Sequence, residues 1–302
     1  NVEYIYNEFA KLERHKIAQF KRWYQANNNI GNVCANDCTD HLIRYSDIET
    51  IFPDLCNRIE SFFKGLYSPG LLKLSILQEK IGHIDDHYDN FMQTNSIGRC
   101  PFCGINRLKG AYHSKREAYD HYLPKALYPF NSINFYNLVP ACHDCNSNYK
   151  LSKDPAYTPK DPVRKSERRK IFYPFSKAKY SIELEIRLAK DDIENLTPVD
   201  INISYGPPEL NTEIETWRFV YGIDERYKAT CLNESEGKYW LEQVIDEWQE
   251  EGRSPEEYLK ALRRNASRKP FADSNFLKKA FLEGCERAGL FKEKEKCKPV
   301  LE

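Results

Sequence analysis

Two pairs of cysteines carry the most specific chemical pattern in the sequence. Cys100 and Cys103 form one CxxC pair, and Cys142 and Cys145 form a second pair beyond residues 104–141. Two residues between cysteines let both thiolates reach one ion from a tight turn, and two such pairs complete a tetrahedral shell. The spacing therefore predicts a structural zinc ion; the alternative is four unrelated buried thiols.

Residues suited to phosphodiester hydrolysis lie between and just after these pairs. They are Asp120 and His121 in a DHxxPK segment, Asn137 in NLVP, Asn146 directly after the last cysteine, and Lys150 one helical turn later. A neutral histidine near pH 7 can take a proton from water. Carboxylate and amide oxygens suit a hard cation, and a lysine can bind a phosphate as a point charge.

The order CxxC, DHxxPK and NLVPxCxxCN, followed by a lysine, resembles the HNH (ββα-metal) endonuclease family over about residues 98–152. The resemblance implies that two strands and a helix grip one divalent ion. It makes His121 the general base, Asn137 the organiser of the catalytic loop, and Asp120 a metal ligand. The third histidine of the family's name is Asn146 here. Since Asp120 and Asn146 offer only oxygens, we expect Mg²⁺ or Mn²⁺ rather than a catalytic zinc.

Each of these residues also has a simpler interpretation. His121 alone could be a structural histidine, Asp120 could cap a turn, and Asn146 could be the N-cap of a helix. Two other classes of function therefore stay open. One is a catalytically silent zinc module that binds nucleic acid or a protein partner. The other is a nuclease subunit that a partner switches on.

The elements around this segment predict an α+β fold that is mostly helical. Apolar spacing predicts helices over residues 2–27, 47–65 and 71–92, and helical structure again after residue 209. Alternating patterns over 180–188 and 199–205 predict two paired strands. We expect a helical N-terminal region (1–95), a zinc-fastened HNH core (96–156), and a mixed, mostly helical C-terminal region (157–302).

Charge and composition limit the partners. Lysines and arginines equal aspartates and glutamates at 45 each, so any contact with nucleic acid must use local patches. The basic stretch 160–179 follows the motif and has aromatic residues interleaved, which favours a nucleic-acid contact. Besides Lys150, we expect this contact to involve Arg168, Arg169 and Lys170. DNA is the expected substrate, with RNA left open, and the resemblance implies products with 5′-phosphate and 3′-hydroxyl ends.

The sequence also argues against several classes of protein. No apolar run approaches the roughly 18 residues of a spanning helix, so we expect no membrane partner. Paired CxxC motifs indicate zinc in a reducing cytoplasm. No GxxxxGK[ST] loop occurs, so the chain should not hydrolyse ATP itself. HNH chains of this kind resemble effectors of bacterial antiphage defence, often paired with an ATPase, which makes a separate ATPase or regulatory subunit an expected partner.

Overall fold

The structure, a computed structural model, describes residues 2–37, 39, 41–157, 167–178 and 180–291. The fold is mixed α+β and mostly helical, as the sequence predicts. It divides into two compact units. Unit 1 combines Asn1–Tyr180 with Leu210–Gly222, and unit 2 combines Ser181–Glu209 with Ile223–Glu302. Unit 1 thus contains both the helical N-terminal region and the segment with the cysteine pairs, which were expected as separate regions.

Unit 1 begins with seven helices. They are α1 (Val2–Ala10), α2 (Arg14–Asn28), α3 (Ile30–Cys34), α4 (Tyr45–Ile51), α5 (Pro53–Leu66), α6 (Ser75–Ile81) and α7 (Ile84–Thr94). None of the helices in the described part of the chain combines the length and the apolar character needed to cross a bilayer.

The three long helices predicted for this region are each broken into shorter ones. Pro53 lacks an N–H donor, so α4 ends at Ile51 and α5 begins at the proline. Gly82 adopts φ 86°, which ends α6 before α7 starts. A turn between α1 and α2 lets the Phe9 ring pack edge-on against Phe20, with 4.7 Å between ring centroids. The apolar spacing was interpreted correctly, but it does not show where packing bends the chain.

Two apolar clusters in unit 1 connect these helices to the segment that follows. One cluster joins α2, α4 and α5 to the buried Phe130. The other joins Ile84 and Tyr88 of α7 to Tyr119 and Leu138. The second cluster therefore fixes the position of the two strands that contain Tyr119 and Leu138.

Those strands are β1 (Tyr119–His121) and β2 (Leu138–Pro140), which pair antiparallel with His121 opposite Leu138 and Asp120 opposite Val139. A π-helical segment, Asp144–Lys150, follows and is called the site helix below. Helix α8 (Asn211–Tyr221) returns to this unit and packs against the site helix. Short strands need such support, because each contributes only a few backbone hydrogen bonds.

Within its described residues, unit 2 contains the predicted second strand pair and four α-helices. Strands β3 (Glu183–Leu188) and β4 (Ile201–Gly206) pair antiparallel, which confirms the alternating pattern. The helices are α9 (Ile223–Leu232), α10 (Tyr239–Glu251), α11 (Pro255–Arg268) and α12 (Asn275–Ala288). Gly284 brings α12 so close to β3 that a Cβ there would lie 2.7 Å from the Ile186 carbonyl oxygen. Ser254 and Glu257 form a capping box at the start of α11.

Candidate metal centre and histidine site

The four cysteines of the two CxxC pairs come together in unit 1. The Sγ atoms of Cys100, Cys103, Cys142 and Cys145 all lie within 4.8 Å of one another, and all four residues are buried. A tetrahedral zinc with Zn–S bonds of about 2.3 Å needs sulfurs roughly 3.8 Å apart. The separation of 4.0 Å between Cys103 and Cys142 is close to that value. The cluster could therefore hold a metal ion such as zinc.

Backbone geometry prepares the cluster for thiolates. The Cys142 N–H lies 3.5 Å from the Cys100 Sγ, and the Cys145 N–H lies 3.5 Å from the Cys142 Sγ. Gly104 adopts φ 71°, which lets the first pair turn back sharply. Burial raises the pKa of the Cys100 thiol, so a bound cation is the natural means of keeping this group ionised.

Helix α8 covers the first cysteine pair. The Phe102 ring stacks on Tyr221 at 4.4 Å between centroids and on Tyr122 at 6.0 Å. The Trp217 indole N–H donates to the Phe102 carbonyl oxygen. A residue inside a CxxC pair thus anchors a helix more than a hundred residues further along the chain.

Asn137 organises the loop between β1 and β2. Its Oδ1 accepts from the Leu123 N–H at 2.8 Å, and its Nδ2 donates to the Leu123 carbonyl oxygen at 3.0 Å. The side chain is fully buried, so these hydrogen bonds replace those that its amide would otherwise form with water. Nδ2 also reaches the Asn131 carbonyl oxygen at 3.4 Å. The loop that runs from His121 to Asn137 is therefore fixed from inside.

His121 ends β1 and is held by this loop. Its Nε2 lies 3.0 Å from the Ser132 carbonyl oxygen, which can only accept, so the proton sits on Nε2 and Nδ1 keeps a lone pair. The Tyr67 ring packs against the imidazole at 4.4 Å between centroids. Burial, with smaller contributions from the charges of Lys125 and Lys150, lowers the His121 pKa to about 3, although the hydrogen bond to Ser132 opposes the shift. The imidazole is therefore neutral at pH 7.

Asp120 faces away from His121, because neighbouring residues of a strand point to opposite faces. Its Oδ1 accepts from the Lys150 Nζ at 2.8 Å, and its Oδ2 lies 3.4 Å from the Tyr221 hydroxyl. Both members of the ion pair are buried, at 1% and 2% side-chain exposure. Burial raises the pKa of the Asp120 carboxyl, and the ammonium of Lys150 opposes that shift.

The position of Lys150 therefore differs from the sequence-based expectation of an accessible lysine that binds a phosphate. Its ammonium donates to Asp120 and, at 2.7 Å, to the His121 carbonyl oxygen. A phosphate of a bound nucleic acid would have no access to this group. The buried residues of this π-helical segment are Cys145 and Lys150, five positions apart, so both lie on its inner face and the Lys150 stem runs toward β1.

Asn146 lies inside the site helix, not at its start. The N-cap position is His143, so Asn146 does not cap the helix, and that alternative is wrong. Its Nδ2 approaches the Tyr119 carbonyl oxygen at 3.5 Å, which places the amide beside β1. The residue as a whole is half-buried.

The basic stretch contributes structural contacts where it is described. Arg168 donates to the Val33 carbonyl oxygen at 3.0 Å, and Arg169 pairs with Glu215 at 2.7 Å. Lys170 is exposed. Lys160, Arg164, Lys165 and Lys179, which belong to the same predicted patch, lie outside the described residues.

Four residues that the sequence analysis did not assign to the site surround β1. Lys125 was visible as part of DHxxPK, although no role followed from that position. Tyr67, Arg116 and Tyr221 lie outside the motif. The tertiary fold brings Tyr67 and Tyr221 to the strand, whereas Arg116 precedes β1 by three residues.

Comparison with known proteins adds one partial relative. Protein ea31 of Escherichia phage lambda is 40% identical over 75 residues, which is 24% of this chain. The alignment spans only about a fifth of that protein's own length (22%). No family model matches the chain, and no solved structure matches it.

Proposed function

We propose that this chain is an HNH-type endonuclease that hydrolyses phosphodiester bonds of DNA, with a structural zinc in the four-cysteine cluster and His121 as general base. One observation carries the proposal. The Ser132 carbonyl oxygen holds the Nε2 proton of His121, in a loop fixed by Asn137, so that Nδ1 is left as the only proton acceptor of the ring.

This arrangement suits the removal of a proton from water. A general base must be neutral before the reaction and fixed in orientation, and His121 is both. A pKa of about 3 makes the imidazole a weak base while the site is empty. An anionic phosphate beside Nδ1 would favour the imidazolium form and raise that pKa, so that basicity increases when substrate binds.

The resemblance also assigns a divalent Mg²⁺ or Mn²⁺ to Asp120 and Asn146, and this part needs a test against the geometry. Mg²⁺ binds oxygens at about 2.0–2.1 Å and keeps several waters. The Asp120 carboxylate is dry, and it is already neutralised by the Lys150 ammonium at 2.8 Å. The site in this arrangement does not fit a hydrated Mg²⁺, so a metal at Asp120 would have to displace Lys150.

That same ion pair favours a second function, a catalytically silent zinc module that binds nucleic acid or a protein partner. Lys150 fills the position on Asp120 that a metal would need, and a permanent pair would leave His121 without a metal beside it. A nuclease that a separate ATPase or regulatory subunit switches on is the intermediate case, in which the partner opens the pair.

Cleavage assays separate these functions. The purified 302-residue chain is incubated with supercoiled plasmid, single-stranded DNA and RNA, each with Mg²⁺ or Mn²⁺ and each without added metal. We expect nicking of DNA that His121→Ala lowers by about 10²–10⁴-fold. A requirement for added Mg²⁺ or Mn²⁺ would show that the Asp120–Lys150 pair opens to a metal. His15→Ala, at an exposed histidine of α2, is the matched control and should cleave like the parent.

The opposite results are equally clear. DNA binding without cleavage under any metal condition supports the silent module. Cleavage that survives His121→Ala shows that His121 is not the base. Chelator is left out of the metal-free samples, because it would also remove zinc from the cysteines.

A further inference from the structure

Two cations flank His121 on the face of β1 opposite Lys150. Tyr119 and His121 share this face, because they stand two residues apart on the strand. The Lys125 Nζ lies 4.9 Å from the centre of the Tyr67 ring, which itself packs against His121. The Arg116 guanidinium lies 5.0 Å from the centre of the Tyr119 ring. Each of the two cations therefore lies over an aromatic ring that belongs to this face or packs against it.

Both cations are close enough to the site for their charges to act on it. Lys125 lowers the pKa of His121, in addition to the larger effect of burial. Burial raises the pKa of the Tyr67 hydroxyl, and Arg116 opposes that shift. These effects require short distances in a region of reduced dielectric constant. Lys125, Tyr67 and Arg116 thus form one continuous border beside His121, which we call the Tyr67 rim.

The two cations are available for a ligand to different degrees. Lys125 is half-buried and forms no ion pair with any described residue, and burial together with the nearby Lys64 lowers its pKa. A bound anion would relieve that repulsion. Arg116 pairs with Asp85 at 3.1 Å, but Asp85 is 81% exposed, so this ion pair is solvated and weak. Arg116 can exchange such a partner for a phosphate at little cost.

A groove continues from the Arg116 end of the rim. It encloses about 710 Å³ and is open to solvent, with α7 on one side and residues 110–116 on the other. Lys115, Ser114 and His113 line the second side beside Arg116. Its volume lies within the range of about 300–1,000 Å³ that ligand sites occupy. Asp85 and Asp89 line the α7 side, so a chain of phosphates would follow the side of Lys115 and Arg116.

We propose that Lys125 and Arg116 are the phosphate-binding cations of the site and hold a DNA strand across His121, with the strand continuing into the groove beside Lys115. This inference rests on the proposed function, because it assigns the substrate contacts of the same site. It replaces Lys150, which is buried against Asp120, and it moves the main contact away from the basic stretch 160–179.

Binding without cleavage tests the proposal. The full-length His121→Ala protein is titrated with a fluorescein-labelled single-stranded DNA oligonucleotide at several salt concentrations, without added Mg²⁺, Mn²⁺ or chelator. Each phosphate contact contributes about 0.7 to the slope of log K against log salt on single strands. Lys125→Gln and Arg116→Gln should each lower the slope by about that amount, and the double variant by about twice as much.

Several variants keep the test decisive. Arg116→Lys retains the charge and should keep the salt slope of the parent. The melting temperatures of all variants are compared with that of the parent, because a loss of binding caused only by disturbed packing over Tyr119 would be accompanied by a lower melting temperature. Lys21→Gln and Arg22→Gln, at exposed positions of α2, are matched controls and should bind like the parent. Lys170→Gln tests the competing basic stretch.

The inference and the proposed function can fail separately. Unchanged slopes for Lys125→Gln and Arg116→Gln, or no DNA binding by the parent, overturn the inference. If these slopes are unchanged while cleavage still depends on His121, only the inference fails. If the slopes fall as expected but no cleavage occurs under any metal condition, the phosphate contacts stand and the hydrolase does not.

Discussion

Strand β1 has one face defined by Asp120 and one defined by His121, and the surroundings of the two faces differ strongly. On one face, Asp120 is dry, paired with Lys150 and covered by Tyr221 of α8. On the other face, His121 borders the Tyr67 rim, where Lys125 is half-exposed and the open groove begins beyond Arg116. One face is a closed ion pair, and the other borders the half-buried Lys125 and the open groove, while His121 itself is 9% exposed.

This difference shows that a motif identifies residues but not their electrostatic environment. Asp120 and His121 are neighbours in a DHxxPK segment, and both were assigned to one catalytic centre. Strand geometry sends them in opposite directions, and each then meets partners from distant parts of the chain. The buried Lys150 ammonium is held in an ion pair by the Asp120 carboxylate. The half-exposed Lys125 ammonium lies beside a neutral imidazole and can attract anions.

The largest expected effect concerns the cysteine cluster on which both faces depend. Cys100→Ser or Cys145→Ser should give insoluble or loosened protein, because structural zinc contributes about 10–16 kcal/mol in zinc-finger peptides. Elemental analysis of the parent should find about one zinc per chain. Cys56→Ser is the control, since this buried thiol lies outside the cluster and donates to the Tyr45 carbonyl oxygen, as a serine can. Soluble, well-folded parent protein without metal would rule out the zinc site.

The second effect tests the closed face. Lys150→Met leaves the Asp120 carboxylate buried without its partner, which should cost about 3–5 kcal/mol of stability in urea unfolding. The double variant Lys150→Met/Asp120→Leu should recover most of that loss, because an apolar pair of similar volume needs no charge partner. Lys170→Met, at an exposed lysine, should change stability little. If Lys150→Met unfolds like the parent but binds DNA weakly, Lys150 contacts phosphate and the closed face is wrong.

The third effect is a dependence of stability on pH that comes from His121. Its pKa is about 3 in the folded chain and about 6.5 when unfolded, so below pH 6.5 the unfolded state binds more protons. Stability should therefore be complete above pH 6.5 and fall with acid, by about 2 kcal/mol at pH 5. Urea unfolding at pH 7 and pH 5 measures this fall. His121→Asn should lose about 2 kcal/mol less stability than the parent between pH 7 and pH 5. An equal loss in parent and variant would show that the imidazole is not buried in its neutral form.

The sequence could predict those features that depend on short-range spacing. Two CxxC pairs brought together four buried sulfurs, and the alternation after residue 180 predicted the pairing of β3 with β4. The α+β class followed from the same patterns. Local periodicity also located the helices of the first hundred residues, but not the breaks at Pro53 and Gly82.

The sequence could not predict contacts across long separations. The partner of Asp120 depends on how the site helix rotates against β1, and Tyr221 reaches the same carboxylate from a helix about a hundred residues further along the chain. The lysine after the last cysteine therefore looked like a phosphate ligand, although its side chain points inward. The division into units also depends on α8, which follows β4 in the chain but packs with the site helix.

The smallest effect on stability, at Asn146, tests whether the closed face can open to a metal. Asn146 lies inside the site helix and does not cap it, so Asn146→Ala should change the free energy of unfolding by less than about 0.5 kcal/mol. An N-cap would lose about 1 kcal/mol. If Asn146 supplies an oxygen to a divalent ion, the variant should need more Mn²⁺ for half-maximal cleavage, with partial recovery at excess Mn²⁺. Asn148→Ala, at an exposed asparagine of the same helix, should keep the Mn²⁺ requirement of the parent. An Asn146→Ala protein that also keeps it would show that this amide is not a metal ligand.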